Sequence, residues 1–233
     1  MNIVIQKIIA DSGHCSRRQA EALIKKGVVT VNGERATLGD RANPERDEVK
    51  VRDKVLSAIT EKIYIRLNKP LDYTCTNRKF PGEKNIFDLV KLPQRLFTIG
   101  RLDKNSRGLV ILTNDGDLSQ KLSHPKFRHE KVYQIRVRGE LKYGEAIAKK
   151  LFKGVDIGEG DGVVRVKKSE LVDANTFLVT LEEGRKRQIR RMFKAVNLHV
   201  VDLKRISVAS VGIGGLKEGQ WEYLAPNEVK KLK

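Results

Sequence analysis

The sequence predicts an α+β protein: a small N-terminal module of two helices and a β-hairpin over residues 1–57, then a larger domain over 62–233 built on a mixed, largely antiparallel sheet. Three observations carry this. Residues 1–57 open with two short apolar stripes at helical spacing, then switch to strand-like alternation around an Asn-Gly turn. Beyond Lys62, period-two runs dominate. The helical stripes among them are few and do not alternate with strands in the regular βαβ manner of a doubly wound sheet.

In chain order, residues 3–12 read as a short helix with Ile5, Ile8 and Ile9 on one face, ended by Gly13. Ser16-Arg-Arg-Gln19 has the spacing of a capping box, in which serine and glutamine side chains each accept from the other residue's backbone N–H. Ala20, Leu23 and Ile24 then form the buried stripe of a second helix, and Gly27 suits its C-terminal stop. Val28 to Val31 alternates as a strand into Asn32-Gly33, a strong hairpin signal. A module of about 50 residues has a meagre core and reads as an appendage. Residues 44–61, charged and containing Pro44, read as its end and a linker.

In the larger domain, Ile63, Ile65 and Leu67 alternate with Tyr64, Arg66 and Asn68 as a strand. Gly108 to Thr113 is a compact apolar run, expected as a buried strand. Lys131 to Arg138 alternates with Tyr133, Ile135 and Val137 on one face, and 142–153 is helical. Strands over 163–172 and 176–182 flank Ala174-Asn175. Residues 187–196 return to helix period, with Ile189, Met192, Phe193 and Val196 as the stripe.

Composition narrows the function. No apolar run approaches the roughly 18 residues of a membrane span. The opening Met-Asn-Ile-Val-Ile-Gln-Lys lacks the layout of a signal peptide, and Cys15 and Cys75 form no CxxC pair, so a reducing cytoplasm is the expected setting. The net charge is +18. Only +3 of it falls in residues 1–60. The stretch 182–205 concentrates Arg185, Lys186, Arg187, Arg190, Arg191, Lys194, Lys204 and Arg205 against Glu182, Glu183 and Asp202. Such clustering favours a nucleic-acid groove over a membrane surface, for which a broad aromatic face is missing. Arg17 and Arg18 stand in the first turn of the second helix, where cations oppose the helix dipole. They are either solvated or a site for a bound phosphate, which would reverse that unfavourable sign.

Several chemistries are eliminated. There is no HExxH, no zinc-type Cys/His cluster and no GxxxxGK[ST] loop, so neither metal nor nucleotide cofactor is expected. Gly212-Ile-Gly-Gly215 reads as a turn and 158–162 as a flexible loop. Asp115-Gly-Asp117 reads as a tight turn, lacking a third carboxylate for a metal. His14, His124, His129 and His199 are scattered, as structural residues or nucleic-acid contacts. What remains is Gly100-Arg-Leu-Asp-Lys-Asn-Ser-Arg-Gly-Leu109, which sets Asp103 between Arg101 and Lys104 ahead of the buried strand. A capping or ion-paired Asp is the plain reading. Its place in a basic chain puts it where a phosphate backbone would run.

That stretch resembles motif I of pseudouridine synthases, G-R-L-D-x-x-[ST]-x-G-L. Leu67-Asn-Lys-Pro70 resembles the family's entry strand, Lys131-Val-Tyr133 its K-x-Y motif and Arg187-Gln-Ile-Arg-Arg191 its R-Q-[IV]-R-R motif. Near the N-terminus, Ser16-Arg-Arg-Gln-Ala-Glu21 and Val29-Thr-Val-Asn-Gly33 resemble an S4 domain, a small RNA-binding module. The pair is similar to the RsuA/RluB/RluF group, with an S4 domain over 1–57 and a catalytic domain over 62–233. One departure is Asp72, where the family usually has a glycine two residues after Lys-Pro.

The resemblance implies an enzyme that isomerises one uridine of ribosomal RNA, most of all large-subunit (23S) RNA or an assembling ribosomal subunit, as a cytoplasmic monomer without metal or cofactor. It implies Asp103 as the carboxylate that starts C1′–N1 cleavage, by attacking the ribose or by promoting its deprotonation. Tyr133 is implied as the stacking ring placed for C5 proton removal, which is compatible with a core role. Arg190 is implied as the partner of the carboxylate, Arg101 as the side chain that fills the gap of the flipped base, and Leu203 as pocket floor. Arg17, Arg18, Arg187, Arg191 and Lys194 are the expected RNA contacts. A non-catalytic RNA-binding or ribosome-assembly protein is the rival reading. The intact set of Asp103, Tyr133 and Arg190 speaks against it, since binding alone needs no such set. A metal-dependent nuclease lacks its clustered carboxylates.

Overall fold

The computed structural model describes residues 1–57, 61–78, 80–139 and 141–232. The chain divides into two compact units: Met1–Ile63 with Leu92–Leu96 and Asn114–Gly116, and Tyr64–Lys91, Phe97–Thr113 and Asp117–Lys233.

In the first unit, helices Ile5–Asp11 and Arg17–Lys25 turn Ile5, Ile8, Ile9, Ala20 and Ile24 into one core. The capping box forms as its spacing predicts: Ser16 Oγ accepts from Gln19 N at 3.3 Å and Gln19 Oε1 accepts from Ser16 N at 3.0 Å. Asn32 and Gly33 both adopt positive φ, as the hairpin turn requires. Two expectations are corrected. Ile3–Val4 is extended and pairs with Ala42 and Arg41, so the first helix starts at Ile5. The stretch taken as a linker carries strands Val49–Val51 and Lys54–Val55. Val49–Val51 is an inner strand of a four-stranded sheet, and its two valines are buried against the helices. The flanking charges hid this Val-Lys-Val alternation. Residues 58–60 of that stretch lie outside the described residues.

The second unit is a nine-stranded sheet whose main path runs Lys168–Asp173, Thr176–Leu181, Lys131–Val137, Val200–Val208, Arg107–Thr113, Tyr64–Lys69 and Trp221–Tyr223. Its described pairings are antiparallel except the central one, where Arg107–Thr113 runs parallel to Val200–Val208. The predicted helices appear as Gly144–Lys153 and Gln188–Ala195. The latter buries Ile189, Met192 and Phe193, with Phe193 edge-on to Phe177 of the sheet at 5.2 Å.

Some sequence readings shift here too. Tyr64–Lys69 is buried at every position but Arg66, on both faces, in a strand paired on both sides by Arg107–Thr113 and Trp221–Tyr223. The expected 163–172 strand is two, Val163–Val164 pairing with Val155–Asp156 and Lys168–Asp173 pairing with Thr176–Leu181. Asp115-Gly-Asp117 leads into helix Gly116–Ser123, with Asp117 in a first turn that favours negative charge.

Gly108 sits at the parallel crossing, registered with Arg205. It has φ +105°, and a Cβ there would lie 2.3 Å from the Arg205 carbonyl oxygen and 2.7 Å from its nitrogen. Backbone cannot step aside as a flexible side chain can, so only glycine permits this approach. Gly108→Ala should cost about 2–5 kcal/mol, combining left-handed strain with overpacking. Gly139→Ala, at φ +78° with nothing within 4 Å of its Cβ, should cost only the strain. Denaturant melts of the two variants beside wild type check this; equal losses would remove the crossing as the cause.

Candidate active site

Phe97–Ile99 pairs antiparallel with Arg107–Thr113, which leaves residues 100–106 as the loop of a wide hairpin. That loop is held almost entirely through its carbonyl oxygens. Lys69, fully buried, donates from Nζ to the carbonyls of Pro70 at 2.9 Å, Lys104 at 3.4 Å and Ser106 at 2.5 Å. Asp72 N also donates to the Lys104 carbonyl, at 2.9 Å. Arg190 Nη2 donates to the Asn105 carbonyl at 2.6 Å, and Arg205 Nη1 reaches the Arg101 carbonyl at 3.5 Å. Ser106 N closes a turn onto the Asp103 carbonyl at 3.0 Å. With the main chain so occupied, Asp103 stands exposed as the loop's one acidic side chain.

The Asp72 departure is resolved in this turn. Asp72 has φ +65°, the left-handed conformation that a glycine would enter without strain, and the turn forms regardless. Asp is among the residues that tolerate this region. Its charge also faces Lys69, whose pKa is lowered by burial and sustained by nearby Cys75, Asp72 and Asp103.

The loop opens on a cleft of about 540 Å³. Asp103, Tyr133, Arg190, Arg101, Arg187 and Leu203 all line it, so six sequence-expected residues meet in one place. Tyr133 is 8% exposed, on the strand between Val179 and Arg205 and beside a β-bulge. Leu203 is buried on the neighbouring strand. Arg187 heads helix Gln188–Ala195 in a left-handed conformation, φ +50°, with its side chain exposed. The loop before it is fixed by Gln188, which accepts from Arg185 N and donates to Glu183.

One expected contact is not formed. Arg190 does not bond to the Asp103 carboxylate: its Nη1 and Nη2 serve the carbonyls of Val200 and Asn105, and its buried Nε has no partner among the described residues. Burial, then Arg187, lowers its pKa, while the charges of Asp103 and Asp202 oppose this. The arginine therefore holds the loop and feels the carboxylate from a distance. Arg191 is spent on the 157–161 loop, bonding Asp161 and the carbonyls of Ile157 and Gly158. Lys194 is exposed near the end of its helix and lines no part of the cleft. Arg17 and Arg18 are exposed, in the other unit.

Residues the sequence reading passed over complete the site. Lys69 was visible as part of a Lys-Pro pair but not as the anchor of the loop. Arg205 looked like one more surface cation, yet it is 2% exposed and donates from Nε to the Leu109 carbonyl at 2.8 Å. The available signal was its two-residue spacing from Leu203, which puts both on one face of a strand. Among the described residues no group of metal-ligating side chains comes together.

Comparison with known proteins bears on the whole chain. A family model described as RNA pseudouridylate synthase matches residues 63–195, and an S4 domain model matches 5–49. An uncharacterized RNA pseudouridine synthase of Aquifex aeolicus is 39% identical, covering 100% of this chain and 94% of that protein. The ribosomal large subunit pseudouridine synthase B of Bacillus subtilis is 37% identical over 98% of this chain and 95% of its own. The dual-specificity RNA pseudouridine synthase RluF of Escherichia coli is 37% identical over 99% and 78%. A crystal structure of pseudouridylate synthase superposes with a TM-score of 0.73 at 30% identity, covering 99% and 100%.

The two central strands are also strapped by a fork-to-fork ion pair, Arg107 Nε and Nη2 to the two carboxylate oxygens of Asp202 at 2.8 and 2.7 Å. Hydrogen bonding from Arg107, opposed in part by burial, holds the Asp202 carboxyl below its usual range. A lowered carboxylate pKa adds stability above the unfolded value, lost as pH falls through the folded one. Asp202→Asn should therefore melt below wild type at neutral pH, and the gap should shrink as pH falls below about 4. A gap independent of pH would show that the pair adds nothing through ionisation.

Proposed function

Since the chain belongs to the RNA pseudouridylate synthase family and is an enzyme that isomerises uridine to pseudouridine in RNA, we propose that Asp103, Tyr133 and Arg190 carry the reaction and that ribosomal RNA is the substrate. The observation that carries the site assignment is the loop held through the carbonyls of Arg101, Asp103, Lys104, Asn105 and Ser106 while the Asp103 carboxylate faces a cleft otherwise rich in arginine and lysine. A target uridine must leave its stack to reach such a cleft, and Arg101 at the rim suits the vacancy it leaves.

In this reading the C1′–N1 bond breaks with Asp103 acting at the ribose. The freed uracil turns and joins C1′ through C5, and C5 loses its proton while N1 gains one. No electrons are gained or lost. Tyr133 supplies a buried ring for the base to stack on and a hydroxyl for the C5 proton. Arg190 sustains the carboxylate as RNA seals the cleft: expelling water lowers the local dielectric and strengthens an attraction that solvent now weakens. Leu203 offers apolar floor, and Arg187 and Arg101 draw the RNA backbone. The relatives' names support large-subunit RNA as substrate, which mapping of pseudouridine in ribosomal RNA from a deletion strain tests. The chain works as a monomer in this proposal, its cleft being lined wholly by one unit.

Asp103→Asn should retain affinity for a ribosomal RNA fragment and lose turnover by on the order of 10²–10⁴-fold or more. Binding and pseudouridine formation are measured on the same fragment, after a normal melting temperature is verified. Product at the wild-type rate would move the chemistry elsewhere. Tyr133→Phe should bind normally and slow the release of C5 tritium.

A second proposal concerns the S4 unit, where Arg17 and Arg18 are exposed at a capped helix start. If each meets a phosphate, replacing both with alanine should flatten the dependence of log affinity on log salt by roughly 0.7–0.9 per contact. An unchanged slope would return both arginines to solvent.

A further inference from the structure

Beside the cleft lies a second recess of about 170 Å³, and Arg101, Tyr133 and Gly184 belong to the walls of both. Two nitrogen-bearing side chains in it each carry a buried nitrogen without a partner among the described residues, and a third, Lys131, bonds a single carbonyl. Arg205 spends Nε and Nη1 on carbonyls, but its buried Nη2 has no acceptor among the described residues. His129 Nε2 is likewise buried without a partner. Lys131 donates from Nζ to the His129 carbonyl at 3.2 Å.

The charges in the recess do not cancel. Its carboxylates, Glu182 and Glu183, are engaged elsewhere: Glu182 with Lys167 at 2.7 Å, Glu183 with Gln188 Nε2 at 2.9 Å and beside Arg185 Nε at 3.6 Å. Burial and then Arg205 lower the pKa of Lys131. Burial, then Lys131 and Lys121, lower that of His129. Keeping cations under cover without a counter-charge is costly. A water could pair with one orphan nitrogen but could not offset the charge. An anion does both, accepting from Arg205 and Lys131 and drawing a proton onto His129.

We propose that this recess is an anion subsite that takes one phosphodiester group of the substrate RNA next to the target nucleotide, held by Arg205, Lys131 and His129. It rests on the RNA-modifying reading above and adds where the strand runs beyond the flipped base. The shared wall at Arg101 and Tyr133 makes that phosphate a near neighbour of the reacting nucleotide. Because the anion binds buried groups, it fixes the strand's position as well as its affinity.

The test follows the histidine ring signals of the intact protein by NMR through a pH titration, with His129→Gln assigning the His129 resonance. Three samples are compared: protein alone, protein with millimolar inorganic phosphate, and protein with the target ribosomal RNA fragment. The expected result is a His129 pKa raised by the RNA and not by inorganic phosphate, with the exposed His199 moving much less. In parallel, Lys131→Met should flatten the salt slope of RNA binding by roughly 0.7–0.9, and Lys131→Arg should restore it. An unmoved His129, or one that shifts no more than His199, overturns the subsite. A full shift with phosphate alone, unchanged by RNA, overturns the RNA assignment in favour of a free-phosphate site. Pseudouridine formation in the same fragment is scored separately: product with an unmoved His129 sinks the subsite alone, whereas absent product sinks the enzymatic reading.

Discussion

The parallel crossing of Arg107–Thr113 and Val200–Val208 at Gly108 is the contact on which the catalytic unit depends. It is close enough that no side chain fits at Gly108. The same Arg205 whose backbone meets Gly108 sends its guanidinium back to the Leu109 and Arg101 carbonyls, so one residue closes the crossing from both directions. Through its strand, Leu203 and Tyr133 come into register beside the 100–106 loop. Parallel pairs lack the tight hairpin that brings antiparallel neighbours together, and here packing of chain distant in sequence must supply the register.

From that crossing follows an economy of hydrogen bonds in the loop. Lys69, Asp72, Arg190, Arg205 and Ser106 all bond to main-chain oxygens. A loop held by its carbonyls keeps its shape without using the Asp103 side chain. That separation lets the carboxylate stand exposed at the cleft while its backbone is held by hydrogen bonds, which is what preorganisation requires of a reacting group.

The +18 charge therefore has several destinations. Lys69 and Arg205 are buried and bond main-chain oxygens, Arg107 is forked onto Asp202, and Arg191 secures the 157–161 loop. Arg101 and Arg187 remain exposed at the cleft. Composition counts all of these alike, because a lysine or arginine carries the same formal charge in the core as on the rim. Only the first kind must find fixed acceptors, since an unpaired cation away from water is too costly to keep.

Much was legible in the sequence by itself, and for local reasons. The Ser16–Gln19 capping box, the Asn32-Gly33 turn, the buried strand after Gly108 and the apolar stripe of 188–195 are set by neighbours within a few residues. The ordered motif around Asp103 identified the family for a similar reason, since its glycines and charges sit at fixed spacings along one loop. What only the tertiary structure decided involves partners far apart in the chain. Lys69 meets the carbonyl of Ser106, Arg205 that of Leu109, and Arg190 that of Asn105 rather than the carboxylate two residues before it. Each of those carbonyls looks like any other in the sequence. Strand pairing across about a hundred residues selected which of them would face a buried cation, and no local pattern encodes that choice.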